Sequence, residues 1–385
     1  MFSKNFTFKN FIGKFPNKKI KTKLFEILSE KNEILNSLSS NYKNNFSQQQ
    51  INKLKKSKNF RIIGMGGSIL GTRAIYDFLN YKIKNKFQFI DNLVLKKKDL
   101  YKKKSTNIIV SKSGNTLETI SNFNLIKKKN DKNIFITENN NNYLNKLAQK
   151  LKDEIVFHNN FIGGRYSVLS EVGMLPAELM GLKSQKFKQF NNLVKNKYFI
   201  KTLINNVSFL YKFHQNKKYN SIILNYDETS ESLFYWYQQL VAESLGKKNK
   251  GILPIISNLP KDNHSLMQLY LDGPKNNFFT FFYVKEKNSP KLESKEISTY
   301  NKNLKSKSMN EILYTQKKAT QNVFNKKKIP FRSFEIFQRS EECLGELFSF
   351  FILETILLAR VLNVNAYDQP AVELIKKETF KIFKS

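Results

Sequence analysis

Three hydroxyls and an ammonium crowd into six positions of this chain: Ser111, Lys112, Ser113 and Thr116, arranged around Gly114. They follow the apolar, β-branched run Asn107–Val110 and precede a segment of helical periodicity from Leu117 onward. A strand entering a helix through such a turn leaves backbone N–H groups of the first helical turn unpaired, and the helix dipole adds positive charge. That is a place for a phosphate. The Lys112 side chain can add a full charge or point to solvent. Ser and Thr are also preferred helix caps, but a cap uses one hydroxyl and this turn offers three.

A second turn poses the same question. In GMGGSILG, Gly64, Gly66 and Gly67 precede Ser68. The dinucleotide fingerprint would need glycine where Ile69 stands. A Walker loop would need Lys-Ser/Thr after Gly71, and Thr72-Arg73 stand there instead. What remains is a glycine turn with Ser68 facing it. It either admits a ligand against backbone or packs strand tightly onto helix.

Proton-transfer groups lie further on. Gln239 and Glu243 are four apart in WYQQLVAESLGKK and share a helix face with Trp236 and Leu240. Glu243 is thus a candidate for a partly buried carboxylate, the kind general-base chemistry uses. Its alternative is a surface Glu paired with Lys247. Gly163 and Gly164 lead into Arg165 and then an apolar helix, which suggests a guanidinium held at a sheet edge. Near the C-terminus Pro370 suits a first helical position, and Gln369 and Lys376 are two turns apart on one face. Taken alone, that segment reads as a solvated helix.

These groups need a scaffold, and the hydropathy pattern supplies one. FRIIG, NIIVS and NIFITE read as strands, each followed by a helical stretch. The alternation resumes after about residue 200 with NSIILNY, GILPIIS and NFFTFFYV. Strands alternating with helices predict parallel sheets covered on both faces. The expected organisation is a helical segment over 1–50, a first α/β domain over 51–200, a second over 201–335 and a helical segment over 336–385.

The chain has 385 residues, 40% of them hydrophobic, which is ample for a globular core. Lys and Arg number 66 against 31 Asp and Glu, a net charge of +35. Such charge raises nucleic-acid binding as an alternative. The lysines, however, are spread along the chain and not gathered in one patch, which fits biased composition and an anionic small substrate. One cysteine, Cys343, rules out an internal disulfide and points to a reducing compartment, the cytoplasm. Three His and that single Cys make a His/Cys metal cluster improbable. The apolar run LFSFFILETILLARVL is interrupted by Glu354 and Arg360, so it reads as a buried helix and not a membrane span.

Taken in order, GMGGSILG, SKSGNTLET, GGRYSVLSEVG, QQLVAESLGK, DNHSLMQLYLDG and YDQPAVELIK resemble the glucose-6-phosphate isomerase (phosphoglucose isomerase) family. The resemblance runs from about residue 60 to 377. It implies two sugar-isomerase-type (SIS) three-layer α/β/α domains with mainly parallel sheets and helical arms. It also implies aldose–ketose isomerisation in glycolysis and gluconeogenesis, with no metal or organic cofactor. By the same resemblance Ser111, Lys112, Ser113 and Thr116 hold the phosphate, and Gly67, Ser68 and Gly164 lie against the sugar. Glu243 is the base, Arg165 steadies the enediolate, and Gln239 stands beside the base. His264 and Lys376 assist ring opening, and Gln369 helps close the site. The histidine comes from a neighbouring subunit, so a homodimer is expected. A non-catalytic phosphosugar-binding regulator on the same fold is the main alternative; it needs the serine-rich turn but not Glu243, Arg165, His264 or Lys376.

Overall fold

The computed structural model describes residues 2–96, 104–128 and 131–384. Its strands are β1 (Phe6–Lys9), β2 (Asn59–Ile63), β3 (Lys86–Ile90), β4 (Thr106–Val110), β5 (Lys132–Glu138), β6 (Glu154–His158), β7 (Asn220–Tyr226), β8 (Leu253–Asn258), β9 (Asn277–Val284) and β10 (Phe331–Ile336). They form two five-stranded sheets, in the orders β3-β2-β4-β5-β6 and β1-β10-β9-β7-β8. Every pairing is parallel except β1 against β10.

Both sheets are covered on two faces. In β2 and β4, Ile62 and Ile108 face one hydrophobic cluster, while Ile63 and Ile109 face another built with Phe123, Leu144 and Ala148. In the second sheet, Ile223, Phe282 and Phe334 join the same cluster as Ile62 and Ile108. Ile222, Leu224 and Phe281 face a separate one containing Tyr270 and Phe324. One continuous core therefore links the inner faces of the two sheets. The helices Leu70–Phe78 and Glu231–Leu245 pack against each other within it.

The expected helical segment 1–50 needs correction. Phe6 and Phe8 alternate with Thr7 and Lys9, and the four residues form β1, an antiparallel edge on the second sheet. Period-two burial of two phenylalanines against Phe334 explains the choice. The helices Lys18–Ser29, Glu33–Leu38 and Gln48–Leu54 follow it.

Glu341–Leu362 is the most buried helix, and Glu354 inside it has a clear reason to be there. Its carboxylate pairs with the equally buried Arg332 on β10 and accepts from Asn206 and Tyr237. A charge in an apolar helix is tolerated when it is paired and hydrogen-bonded. Arg360 reaches the edge and makes two bonds to Glu30, at 2.8 and 3.0 Å. Among the described residues no helix is long and apolar enough to cross a membrane.

Candidate active site

The first sheet has the strand order in which the middle strands β2 and β4 diverge to opposite sides, and ligands gather beyond the carboxyl ends of such strands. Both turns singled out in the sequence lie there. Gly64 to Ser68 follow β2, and Ser111 to Thr116 follow β4. A Cβ on Gly64 would stand 3.0 Å from the carbonyl oxygen of Val110, so the two turns are neighbours.

The serine turn is organised by its own hydroxyls. Ser111 Oγ and Thr116 Oγ1 are 2.8 Å apart, and Ser113 Oγ accepts from the N–H of Asn115. Thr116 occupies the cap position of the helix Leu117–Ile126 without a side-chain capping bond. Simple capping therefore does not explain these hydroxyls. Gly114 adopts φ of +66°, and a side chain there would collide with Asn142. Lys112 does not reach into the turn: its ammonium pairs with Glu138 at 3.2 Å.

The glycine turn is pressed against the rest of the site. A Cβ on Gly67 would fall 2.2 Å from the carbonyl carbon of Gly164, and one on Gly66 2.8 Å from Nε2 of Gln239. Those glycines bring the first sheet within reach of two further elements, the Arg165 turn and the helix Glu231–Leu245. Ser68 is half-buried at the end of this turn.

Arg165 and Glu243 meet at this junction. The guanidinium is 2% exposed. Its Nε donates to Ser244 Oγ at 2.8 Å, and Nη1 donates to Glu243 Oε2 at 3.1 Å and to Gln369 Oε1 at 2.7 Å. Nη2 donates to the carbonyls of Ala366 and Asp368. The other carboxylate oxygen of Glu243 accepts from Gln239 Nε2 at 2.8 Å. Glu243 keeps partial exposure and faces a cavity of about 650 Å³ that Gln369, Lys247 and Asp368 also line. Lys247 is not its partner. That ammonium pairs with Asp368 at 3.0 Å, and burial holds it below the ordinary lysine range.

Trp236, already on the helix face of Glu243, and two groups the sequence reading did not single out complete the frame. Ser244 bonds both Arg165 and the Tyr166 hydroxyl, and Trp236 Nε1 donates to the carbonyl of Arg165. Tyr166 is fully buried and donates to Ala366; burial pushes its phenol up. A serine directly after a helical Glu was the one available signal, and it is weak.

Gln369 joins the cluster, whereas Lys376 and His264 do not. Lys376 lies on the helix Pro370–Ile382, which buries none of its residues, and pairs with Glu373 at 2.6 Å. His264 is exposed in the turn after β8. Glu231, which opens the helix carrying Glu243, is level with Asn258 at the end of β8, and Gln238 is level with Pro254 near its start. Helix and strand thus run antiparallel. Glu243 lies beyond the start of β8 and His264 beyond its end, so the length of the strand separates them.

The second sheet repeats the diverging order with β7 and β9, but its turn is filled. Asp227 follows β7, accepts from Thr229 and Ser230, and pairs with Arg339. An acidic side chain and a resident arginine stand where the first sheet has glycines and hydroxyls. The first sheet is therefore the one suited to an anion.

Comparison with known proteins addresses the family and the fold. Residues 17–254 match the family model described as phosphoglucose isomerase. A glucose-6-phosphate isomerase of Methanocaldococcus jannaschii is 35% identical over 347 residues, covering 85% of this chain and 84% of that one. One of Campylobacter jejuni is 30% identical over 357 residues, 86% of each. Among solved structures, a hypothetical protein of Thermus thermophilus superposes with a TM-score of 0.82 at 21% identity, covering 96% of this chain and 94% of that one. A glucose-6-phosphate isomerase of Chlamydia trachomatis gives 0.72 at 16% identity, over 99% and 81%. At those identities the superpositions speak for the shared fold. The matched residues and the curated relatives carry the further conclusion that this chain belongs to the phosphoglucose isomerase family.

Proposed function

We propose that the chain interconverts glucose-6-phosphate and fructose-6-phosphate through a cis-enediol. The observation that carries this reading is the Glu243 carboxylate, held between Arg165 and Gln239 and open to a cavity. Family membership supplies the substrate.

The chemistry follows from those groups. Isomerisation moves one hydrogen between adjacent carbons on the same face of a planar enediol. A single carboxylate, Glu243, removes the C2 proton and returns it to C1. Negative charge develops on the carbonyl oxygen in the transition state, and the adjacent guanidinium of Arg165 stabilises it. Ser111, Ser113 and Thr116 take the phosphate with the helix N-terminus, which fixes the reacting carbons against the base. The part of Lys112 is limited to its backbone and to a cation shared with Glu138.

Ring opening needs an acid–base pair that this arrangement does not bring to Glu243 within one chain. His264 acts from a second copy, in a homodimer, because within the chain β8 separates it from Glu243. Lys376 arrives when the C-terminal helix closes over the sugar, exchanging Glu373 for the substrate. A coupled assay with fructose-6-phosphate tests the reading. Turnover to glucose-6-phosphate is expected, and none under conditions where the protein binds the sugar phosphate would overturn it in favour of a non-catalytic phosphosugar-binding regulator.

A further inference from the structure

The guanidinium of Arg165 is held at its tip by five hydrogen bonds, and the backbone that carries it is held separately. Behind the segment that carries it lies a second buried polar cluster with no contact to the cavity. Glu171 is fully buried at the start of the helix Glu171–Leu179. One of its oxygens accepts from the Tyr42 hydroxyl at 2.8 Å and from the Asn45 N–H at 3.2 Å. The other faces Nδ1 of His158 at 3.2 Å.

The cluster touches the arginine segment at both ends. The second ring nitrogen of His158 faces the carbonyl of Ile162 at 3.0 Å, three residues before Arg165. Buried Lys188 donates to the carbonyl of Leu169, four residues after it, and to that of Ser37. Its ammonium also lies 4.8 Å from the Tyr42 ring centre. Both nitrogens of His158 thus meet oxygen atoms, one of Glu171 and one of Ile162. Burial alone raises that carboxyl, but the bonds from His158 and Tyr42 outweigh it and hold the group below the usual carboxylate range.

We propose that Glu171, with His158 and Lys188, is a positioning residue for Arg165: the three grip the segment Ile162–Leu169 at its two ends and so fix where the guanidinium meets Glu243. The inference rests on the isomerase reading. The middle of the segment is held by Gly67 against Gly164 and by Trp236 on the Arg165 carbonyl, and the cluster adds the grip at its two ends. Small misplacements of a catalytic group carry large losses of rate.

The test measures Glu171→Gln in the full chain. The expected result is a fall in kcat of about tenfold, with affinity for 6-phosphogluconate unchanged because the serine turn is untouched. In an Arg165→Lys background the same change should add less than about twofold, since the group being positioned is gone. A lowered melting temperature with kcat unchanged, or an equal fall in both backgrounds, would overturn the proposal. Should Glu171→Gln not fold, Lys188→Met against Lys188→Arg decides: the methionine must lose kcat and the arginine, which keeps donors and charge, must regain most of it. Equal activity of the two would contradict the positioning role. Absence of isomerisation by the unaltered chain would instead remove the isomerase reading itself.

Discussion

Arg165 has five N–H donors, and five bonds engage them: Ser244 from Nε, Glu243 and Gln369 from Nη1, Ala366 and Asp368 from Nη2. A sugar oxygen can reach this guanidinium only by replacing a partner. Glu243, Gln369 and Asp368 all border the cavity, and of these Gln369 is the partner whose neutral side chain can swing away without breaking an ion pair or moving backbone. Across the junction, the hydroxyls of Ser111 and Thr116 hold each other and need only rotate to donate to an anion. Replacing Ser113 and Thr116 together by Ala is therefore expected to raise KM at least about tenfold while kcat changes little, since roughly 1 kcal/mol or more is lost per hydrogen bond to a charged group. Steady-state kinetics checks this, and an unchanged KM would remove the turn from phosphate binding.

At the scale of elements, the site exists because two turns and one helix are pressed together at glycines. Gly67→Ala would drive a methyl into the Gly164 backbone. The variant should lose about 1–3 kcal/mol of stability and lose activity beyond that, because Arg165 follows Gly164; denaturant melts and kcat together check it. Lys188 offers a pH test. Burial lowers its ammonium to about 7, with Glu171 opposing the shift. Between pH of about 7 and the ordinary lysine value the unfolded chain holds the extra proton, so stability rises with pH, by at most about 1.4 kcal/mol per unit. Urea unfolding at pH 7 and 9 should show a rise that Lys188→Met lacks; equal slopes would contradict it. Much of this scale was legible in the sequence. The runs around Ile62, Ile108 and Ile134 declared buried strands, and glycine spacing marked both turns. The strands β3, β6 and β10 escaped because their apolar residues are diluted by Lys, Gln, Glu and His on short stretches. Arg332 in β10 is paired with Glu354, 22 residues away, a contact that no local spacing encodes. The cluster of Glu171, His158 and Lys188 was invisible for the same reason: its members are tied by contacts that no local spacing encodes.

For the whole molecule the unresolved partner to Glu243 is the histidine. Within one chain the length of β8 keeps His264 from the carboxylate, and the proposed function therefore draws the histidine from a second copy. The helix Pro370–Ile382, with Leu374 and Ile375 largely exposed, also suits contact with another surface. Mixing Glu243→Gln and His264→Gln chains, each inactive alone, should restore part of the activity in the hybrid dimer, which carries one intact site. No recovery after verified exchange would contradict a shared site. The 66 basic against 31 acidic residues give the whole molecule a net charge of +35, which favours the approach of anionic small molecules in general. The most direct test concerns the proton itself. Fructose-6-phosphate incubated in deuterated water with the unaltered enzyme should acquire deuterium at the carbon that Glu243 serves. Glu243→Gln should bind 6-phosphogluconate as before yet slow that exchange by roughly 100-fold or more, and exchange near the normal rate would show that another group moves the hydrogen.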